Sequence, residues 1–299
     1  RVQKTWGRVD VLVANAGGGR GKPAETAASV VPPDLFDLVM RMNLYGTYHC
    51  CSAVAPIMKA QRSGRIVTVA SYAGKVAAKL DAVSGYILKK NSPSCGMERV
   101  KVYTVKGMPV TTAAGIYAGA LMEQLPALPF EAEGRLMDPV LRENFVERVF
   151  VYHRWQELVR GRLTAKGLVE FHTRHKFIVL AHDEKGYRAL GRLVAGAGRS
   201  GMAELGRDYI RQLMAALRKP ATRTRHANVL QHITGFFKRQ LSADDKRELQ
   251  GLIDSYRRGQ VPLVVPITMI RHYLRRFPDA YLADQYYLAP HPDELMLRN

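Results

Sequence analysis

Residues 9–15, Val-Asp-Val-Leu-Val-Ala-Asn, form a nearly continuous apolar run closed by Ala16-Gly17-Gly18-Gly19. A strand that is apolar at successive positions must be covered on both faces, as happens inside a parallel sheet flanked by helices. The next residues supply the rest of such a unit. Pro32-Pro33-Asp34 opens a helix predicted over about 33–60, with Asp34 near its N-terminus, where a carboxylate is favoured. Residues 64–70, Gly-Arg-Ile-Val-Thr-Val-Ala, read as a second strand, and Ser71-Tyr72-Ala73-Gly74 turns out of it. Strand, helix and strand in this order make a βαβ unit.

Near residues 74–80 the pattern changes. Residues 85–90, Gly-Tyr-Ile-Leu-Lys-Lys, read as a short strand running into the polar loop Ser92-Pro93-Ser94-Cys95-Gly96. Val100-Lys101-Val102-Tyr103 is a further strand, and residues 115–125 an amphipathic helix broken by Pro126-Ala127-Leu128-Pro129. Asp138-Pro139 opens a helix that reaches about Tyr152. From 155 onward helical spacing dominates, with Phe171–Phe177, Leu190–Val194 and Met202–Leu217 on helices. Ser242-Ala243-Asp244-Asp245 is a helix start with Ser242 as N-cap. Pro262–Pro266 reads as an apolar connector before a helix over 267–277. The expected fold is therefore an α/β N-terminal half, a partial parallel sheet with helices, followed by an all-α helical domain.

Three stretches resemble known families. Asn15-Ala16-Gly17, Asn43 in Met42-Asn43-Leu44-Tyr45-Gly46, and Ser71 at a strand end resemble the middle of a short-chain dehydrogenase/reductase. The resemblance covers about residues 1–74 and implies catalytic roles for Asn43 and Ser71. That family completes its site with Tyr-x-x-x-Lys, in which lysine lowers the pKa of a proton-donating tyrosine. Tyr86 and Lys90 have that spacing 15 residues after Ser71, although they fall within a different pattern. The family's Gly-rich phosphate loop would precede Arg1, so the resemblance implies no NAD(P) site within these residues.

Residues 79–154 resemble the C-terminal half of the thiouracil/thiouridine desulfidase family through Gly85–Met97, Glu133-Gly134-Arg135-Leu136 and Leu141–Phe150. This resemblance implies a 4Fe-4S cluster on three cysteines, whose open iron takes the sulfur of a thiolated pyrimidine. Cys95 matches the last of the three metal ligands, and Ser92 and Ser94 stand where they would bond cluster sulfide or substrate. Their alternative role is turn chemistry around Pro93. The other two cysteines belong to the half of that fold whose place residues 1–74 take. Cys50 and Cys51 are the remaining cysteines, and helical neighbours point about 100° apart, which sets them against sharing one cluster.

Residues 155–299 resemble the YbgA-type helical domain often fused to that desulfidase, through Phe171–Lys176, Asn228–His232, Tyr256–Gly259 and Pro262–Pro266. The expected division is thus 1–78, 79–154 and 155–299.

Charge bears on the partner. The net charge is +19, and residues 151–299 alone carry 26 basic and 14 acidic side chains. Such an excess suits a polyanion, and the resemblance implies tRNA or a thiolated pyrimidine. Arg174, Lys176, Arg223, Arg225, Lys238 and Arg239 are the candidate RNA contacts. His172 and His175 share a helix face, which leaves metal binding and a structural role in a helix bundle both open. No apolar run reaches the 18–20 or so residues of a membrane span. Three cysteines in this length, two of them adjacent, fit a reducing, cytoplasmic setting rather than a disulfide scaffold.

Overall fold

The computed structural model describes residues 11–13, parts of 52–61, 65–67, 80, 83–90, 92–103, 109–198, 201–292, 295 and 297. The chain forms two compact units, Arg1–Leu80 with Gly119–Gln124, and Asp81–Ala118 with Leu125–Asn299. In the first unit, strand β1 (Val11–Val13) pairs in parallel with β2 (Arg65–Val67), Leu12 opposite Ile66. Described residues within 52–61 are helical, inside the helix expected over 33–60. Asn43, Cys50, Cys51 and Ser71 lie outside the described residues.

The chain continues with β3 (Tyr86–Leu88), β4 (Val100–Tyr103), β5 (Pro109–Ala113), helix α1 (Ile116–Gln124), whose residues Gly119–Gln124 belong to the first unit, and β6 (Phe130–Ala132). β3 and β6 are parallel, with Tyr86 opposite Phe130, while β4 and β5 form an antiparallel ribbon. The sequence reading anticipates neither β5 nor β6. A three-residue strand following Pro129 carries too few residues to show a period.

Helix α2 (Pro139–Val159) starts where Asp138 accepts hydrogen bonds from the Val140 and Leu141 amides, at 2.8 and 3.1 Å. It runs without interruption through the boundary expected at 154/155. The reason for its continuity lies in what each end buries. Its first half carries Arg148, 4% exposed, whose guanidinium donates to the Phe130 carbonyl and ion-pairs with Glu131 at 3.3 Å. Its second half carries Trp155, stacked on Tyr209 at 5.6 Å and edge-on to Phe171 at 5.4 Å. Helix α2 thus carries contacts to β6 at one end and to the helical core at the other.

The remaining helices are α3 (Ala165–His182), α4 (Glu184–Ala195), α5 (Met202–Leu217), α6 (Arg223–Thr234), α7 (Ala243–Arg257), α8 (Val264–Arg276) and the short α9 (Ala280–Ala283). Leu168, Val179, Leu213, Leu230, Ile253 and Ile270 are among the residues that fill a single apolar core. Helix α7 opens with a reciprocal capping box between Ser242 and Asp245. Helix α8 starts earlier than expected and absorbs Pro266 into its first turn, where a missing N–H removes no intrahelical bond. The C-terminal segment is tied back through Tyr286 N–H to the Arg174 carbonyl at 3.0 Å and Gln285 to the Thr173 carbonyl at 3.1 Å. Among the described residues, no helix is long and apolar enough to cross a membrane.

Two histidines of α3 are part of this core. His172 Nδ1 lies 3.1 Å from the Tyr209 hydroxyl, and burial pushes its pKa down to about 4. His175 donates from Nδ1 to the Phe171 carbonyl at 2.7 Å and stacks on that ring at 4.0 Å. Burial pushes its pKa down to about 3. Among the described residues, no group of three His, Cys, Asp or Glu side chains could hold a metal. Of the roles left open for these histidines, the geometry supports the structural one.

Their titration makes stability fall with acid. In the unfolded chain each histidine takes up a proton near pH 6.5, whereas the folded ones resist protonation until about 4 and 3. Stability is therefore full above about 6.5 and declines as pH drops, by about 2 kcal/mol per histidine at pH 5. Urea unfolding at pH 7 and pH 5 should show this loss, and His172→Gln should reduce it by about half. An identical pH dependence in the variant would rule out this origin.

Candidate nucleic-acid interface

A groove of about 800 Å³ opens among helices α3, α4 and α6, with Arg257 and Tyr281 at its sides. Each wall follows from helical spacing. Lys176 and Leu180 are four apart on α3, and Glu184 and Arg188 four apart on α4. On α6, Thr224, Asn228 and Gln231 recur on one face. The Thr222 hydroxyl starts that helix by accepting from the Arg225 amide at 3.3 Å.

The groove is electropositive. Lys176, Arg188, Arg225 and Arg257 line it, and Glu184 is the acidic residue among them. Arg188 engages Glu184 at 2.5 Å and Arg257 engages Asp254 at 3.5 Å, so two of the four cations already face a carboxylate. Arg225 donates to the His182 carbonyl at 2.6 Å, which fixes its guanidinium at the C-terminal end of α3. The Lys176 ammonium lies 4.8 Å from the centre of the Tyr281 ring. Phe236 stacks on Tyr281 with centroids 5.3 Å apart and planes 13° from parallel. Cations beside an aromatic pair with one exposed ring can hold a phosphate chain and a flat ring together.

Of the six expected RNA contacts, Lys176 and Arg225 come together in this groove. Arg174 lies elsewhere and pairs with Asp284 at 3.2 Å. Lys238 and Arg239 are exposed beyond the 3-10 turn Gly235–Phe237. Arg223 packs over Gly259, the residue that ends the Tyr256–Gly259 motif. The sequence reading did not single out Arg188, Arg257, Phe236 or Tyr281 as site residues. Asn228–His232 and Tyr256–Gly259 stood out as family text, and that was the signal available for this surface.

The Cys95 loop is closed by its own backbone. Ser92 Oγ accepts from the Cys95 amide at 3.0 Å, and the Ser92 carbonyl accepts from Gly96 at 2.8 Å. The Pro93 and Ser94 carbonyls take the amides of Ile116 and Ala118, at the start of α1. A Cβ on Gly115 would stand 2.4 Å from the Ser94 carbonyl oxygen, so the approach requires glycine. Ser92 thus does turn chemistry. Cys95 is a half-buried free thiol. A 4Fe-4S cluster takes three or four thiolates, and the described residues, which offer one, do not fit it.

Tyr86 and Lys90 do not share a helix face, because Tyr86 lies on β3. The Tyr86 hydroxyl is 3.2 Å from that of Tyr117, and the Lys90 stem runs beside Gly134.

Known families match the two ends of the chain. The family described as "protein of unknown function (DUF1722)" matches residues 176–292, and the short chain dehydrogenase family matches residues 1–86. The YbgA protein of Escherichia coli K12 is 35% identical over 153 residues, 51% of this chain and 90% of that protein. Cyclohexanol dehydrogenase of Rhodococcus sp. TK6 is 61% identical over 69 residues, 23% of this chain and 26% of that enzyme. The 2-(R)-hydroxypropyl-CoM dehydrogenase of Xanthobacter autotrophicus is 32% identical over 145 residues, 53% of its own length. The chain thus spans between a quarter and about half of these two dehydrogenases. No solved structure matches the chain at a significant level.

Gly259, two residues beyond the end of α7, closes that helix. Its φ of +80° is left-handed, and an added Cβ would meet Arg223 Nη1 at 2.6 Å. Gly259→Ala should cost about 1–2 kcal/mol from the backbone alone. Adding Arg223→Ala should recover only the steric share. Urea unfolding of the two variants measures both parts. A single-variant cost under about 0.5 kcal/mol would contradict the left-handed closure.

Proposed function

Because the chain belongs to the YbgA family through its helical half, we propose that this half is an RNA-binding module of desulfidase lineage. The observation that carries the reading is the groove lined by Lys176, Arg188, Arg225 and Arg257 beside the Phe236–Tyr281 stack. The charge excess over residues 151–299 supports it, since a surface of that sign attracts a phosphate backbone at long range. Arg174, Arg223, Lys238 and Arg239 stand outside the groove and extend the basic surface along which a tRNA or another RNA strand would run.

The lineage reading rests on the Gly85–Met97 loop and the Leu141–Phe150 segment, which lie beside the YbgA-type half in the order a two-domain thiouridine desulfidase would have. Sulfur removal needs an open iron held by soft ligands, and the described residues give one thiolate. RNA binding is therefore the activity this chain retains, and desulfidation of 4-thiouridine or thiouracil is the ancestral one.

Two measurements test these statements separately. Fluorescence anisotropy with a single-stranded RNA and with tRNA, across a salt series, should show affinity falling as salt rises. Lys176→Gln and Arg257→Gln should each reduce the slope of log K against log salt by about 0.7, the value for one single-strand phosphate contact. Undetectable or salt-independent binding would end the RNA reading. After anaerobic reconstitution, iron and acid-labile sulfide should stay well below the roughly four irons of a full cluster. Four irons that disappear in Cys95→Ala would instead restore the enzyme.

A further inference from the structure

We propose that the groove receives one unstacked nucleotide of a single-stranded RNA, its base lying against Phe236 and its phosphate among the cations. This inference rests on the RNA-binding reading and goes beyond it, because backbone attraction alone requires no base in the groove.

Three independent features converge on a single nucleotide. The first is size. The groove is open to solvent, and at about 800 Å³ it has room for one nucleotide. A duplex keeps its bases stacked inside and presents only backbone and groove edges, so it could not place a base there.

The second feature is the aromatic pair. Phe236 is 40% exposed, so part of its ring is open to an incoming group. The stack on Tyr281 holds the ring in a fixed plane, and the Lys176 ammonium over Tyr281 places a positive charge beside it. A fixed aromatic face accepts any base and gains from stacking whatever the sequence.

The third is hydrogen-bonding capacity. Asn228 and Gln231 present amides from successive turns of α6 into the groove. Neither amide has a hydrogen bond to another described side chain or backbone group. A carboxamide offers a donor and an acceptor side by side, the pattern needed to read the edge of an unpaired base. On the phosphate side, Arg225 is held by the His182 carbonyl while part of its guanidinium fork is left for an anion.

The test uses the full chain and a short single-stranded RNA carrying one 2-aminopurine. Binding should quench the probe as it stacks. Phe236→Ala should abolish the quench and weaken affinity about ten-fold, and Phe236→Tyr should keep both. An RNA made abasic at the probe position should lose the same ten-fold against the unaltered chain and nothing further against Phe236→Ala. Thermal melting of each variant establishes that it is folded.

If Phe236→Ala keeps quench and affinity while Lys176→Gln and Arg257→Gln weaken binding, the groove holds backbone only. The present inference then falls and RNA binding stands. If free mononucleotides bind while the RNA neither binds nor displaces them, the groove is a small-molecule site and both readings fall. If the chain binds neither, both fall as well.

Discussion

Two consecutive residues on one helix, Glu147 and Arg148, tie α2 to β6 and to the end of α3. Neighbours on a helix point about 100° apart, so α2 can send two charges in different directions from one turn. Arg148 reaches the Phe130 carbonyl and Glu131 on the β6 side. Glu147 reaches His182 Nε2 at 2.9 Å, at the end of α3. The other ring nitrogen of His182 faces the Lys219 carbonyl at 2.6 Å, which can only accept, so Nδ1 carries a hydrogen. Buried charges of this kind cost much to leave alone and little to keep once paired, which makes the arrangement specific more than strong.

That chain of contacts ends at the groove. The His182 carbonyl is the acceptor that orients Arg225, and Asp183, the next residue, takes Lys219 at 2.5 Å. The end of α3, the connection after α5 and the start of α6 are thereby fixed against one another. Arg225 could otherwise sweep a wide arc on its long side chain. Here the positive wall of the groove is an extension of the buried network, and its geometry depends on α2 remaining continuous from the sheet to the core. The neutral histidines His172 and His175 stiffen the opposite side of α3 by stacking and by hydrogen bonding rather than by charge.

The chain joins parts with different histories. Its first 86 residues match short chain dehydrogenases, and its helical half belongs with YbgA. Residues 154 and 155 lie inside one continuous helix. A helix boundary needs a breaker or a cap, and the stretch from Asp138 to Val159 has a cap at its start and no breaker within.

Much of the fold was legible locally. The apolar run at residues 9–15, the Asp138-Pro139 start and the Ser242 capping box each rest on neighbours a few residues apart, and each is found where it was expected. Strands β5 and β6 escaped because a short strand is defined by its partner, and Pro266 misled because its tolerance depends on where the first turn begins. The candidate site divides in the same way. The excess of basic residues and the text of Asn228–His232 and Tyr256–Gly259 were visible in the sequence, and they placed Lys176 and Arg225 among the candidates. Which cations face one space was not visible. Arg174 sits two residues from Lys176 yet points to Asp284, while Arg188, Arg257 and Phe236 arrive from distant segments. Sequence alone determined the charge, the helices and the family. The groove was decided by tertiary packing, because a concave surface is made by the meeting of elements whose separation along the chain carries no record of it.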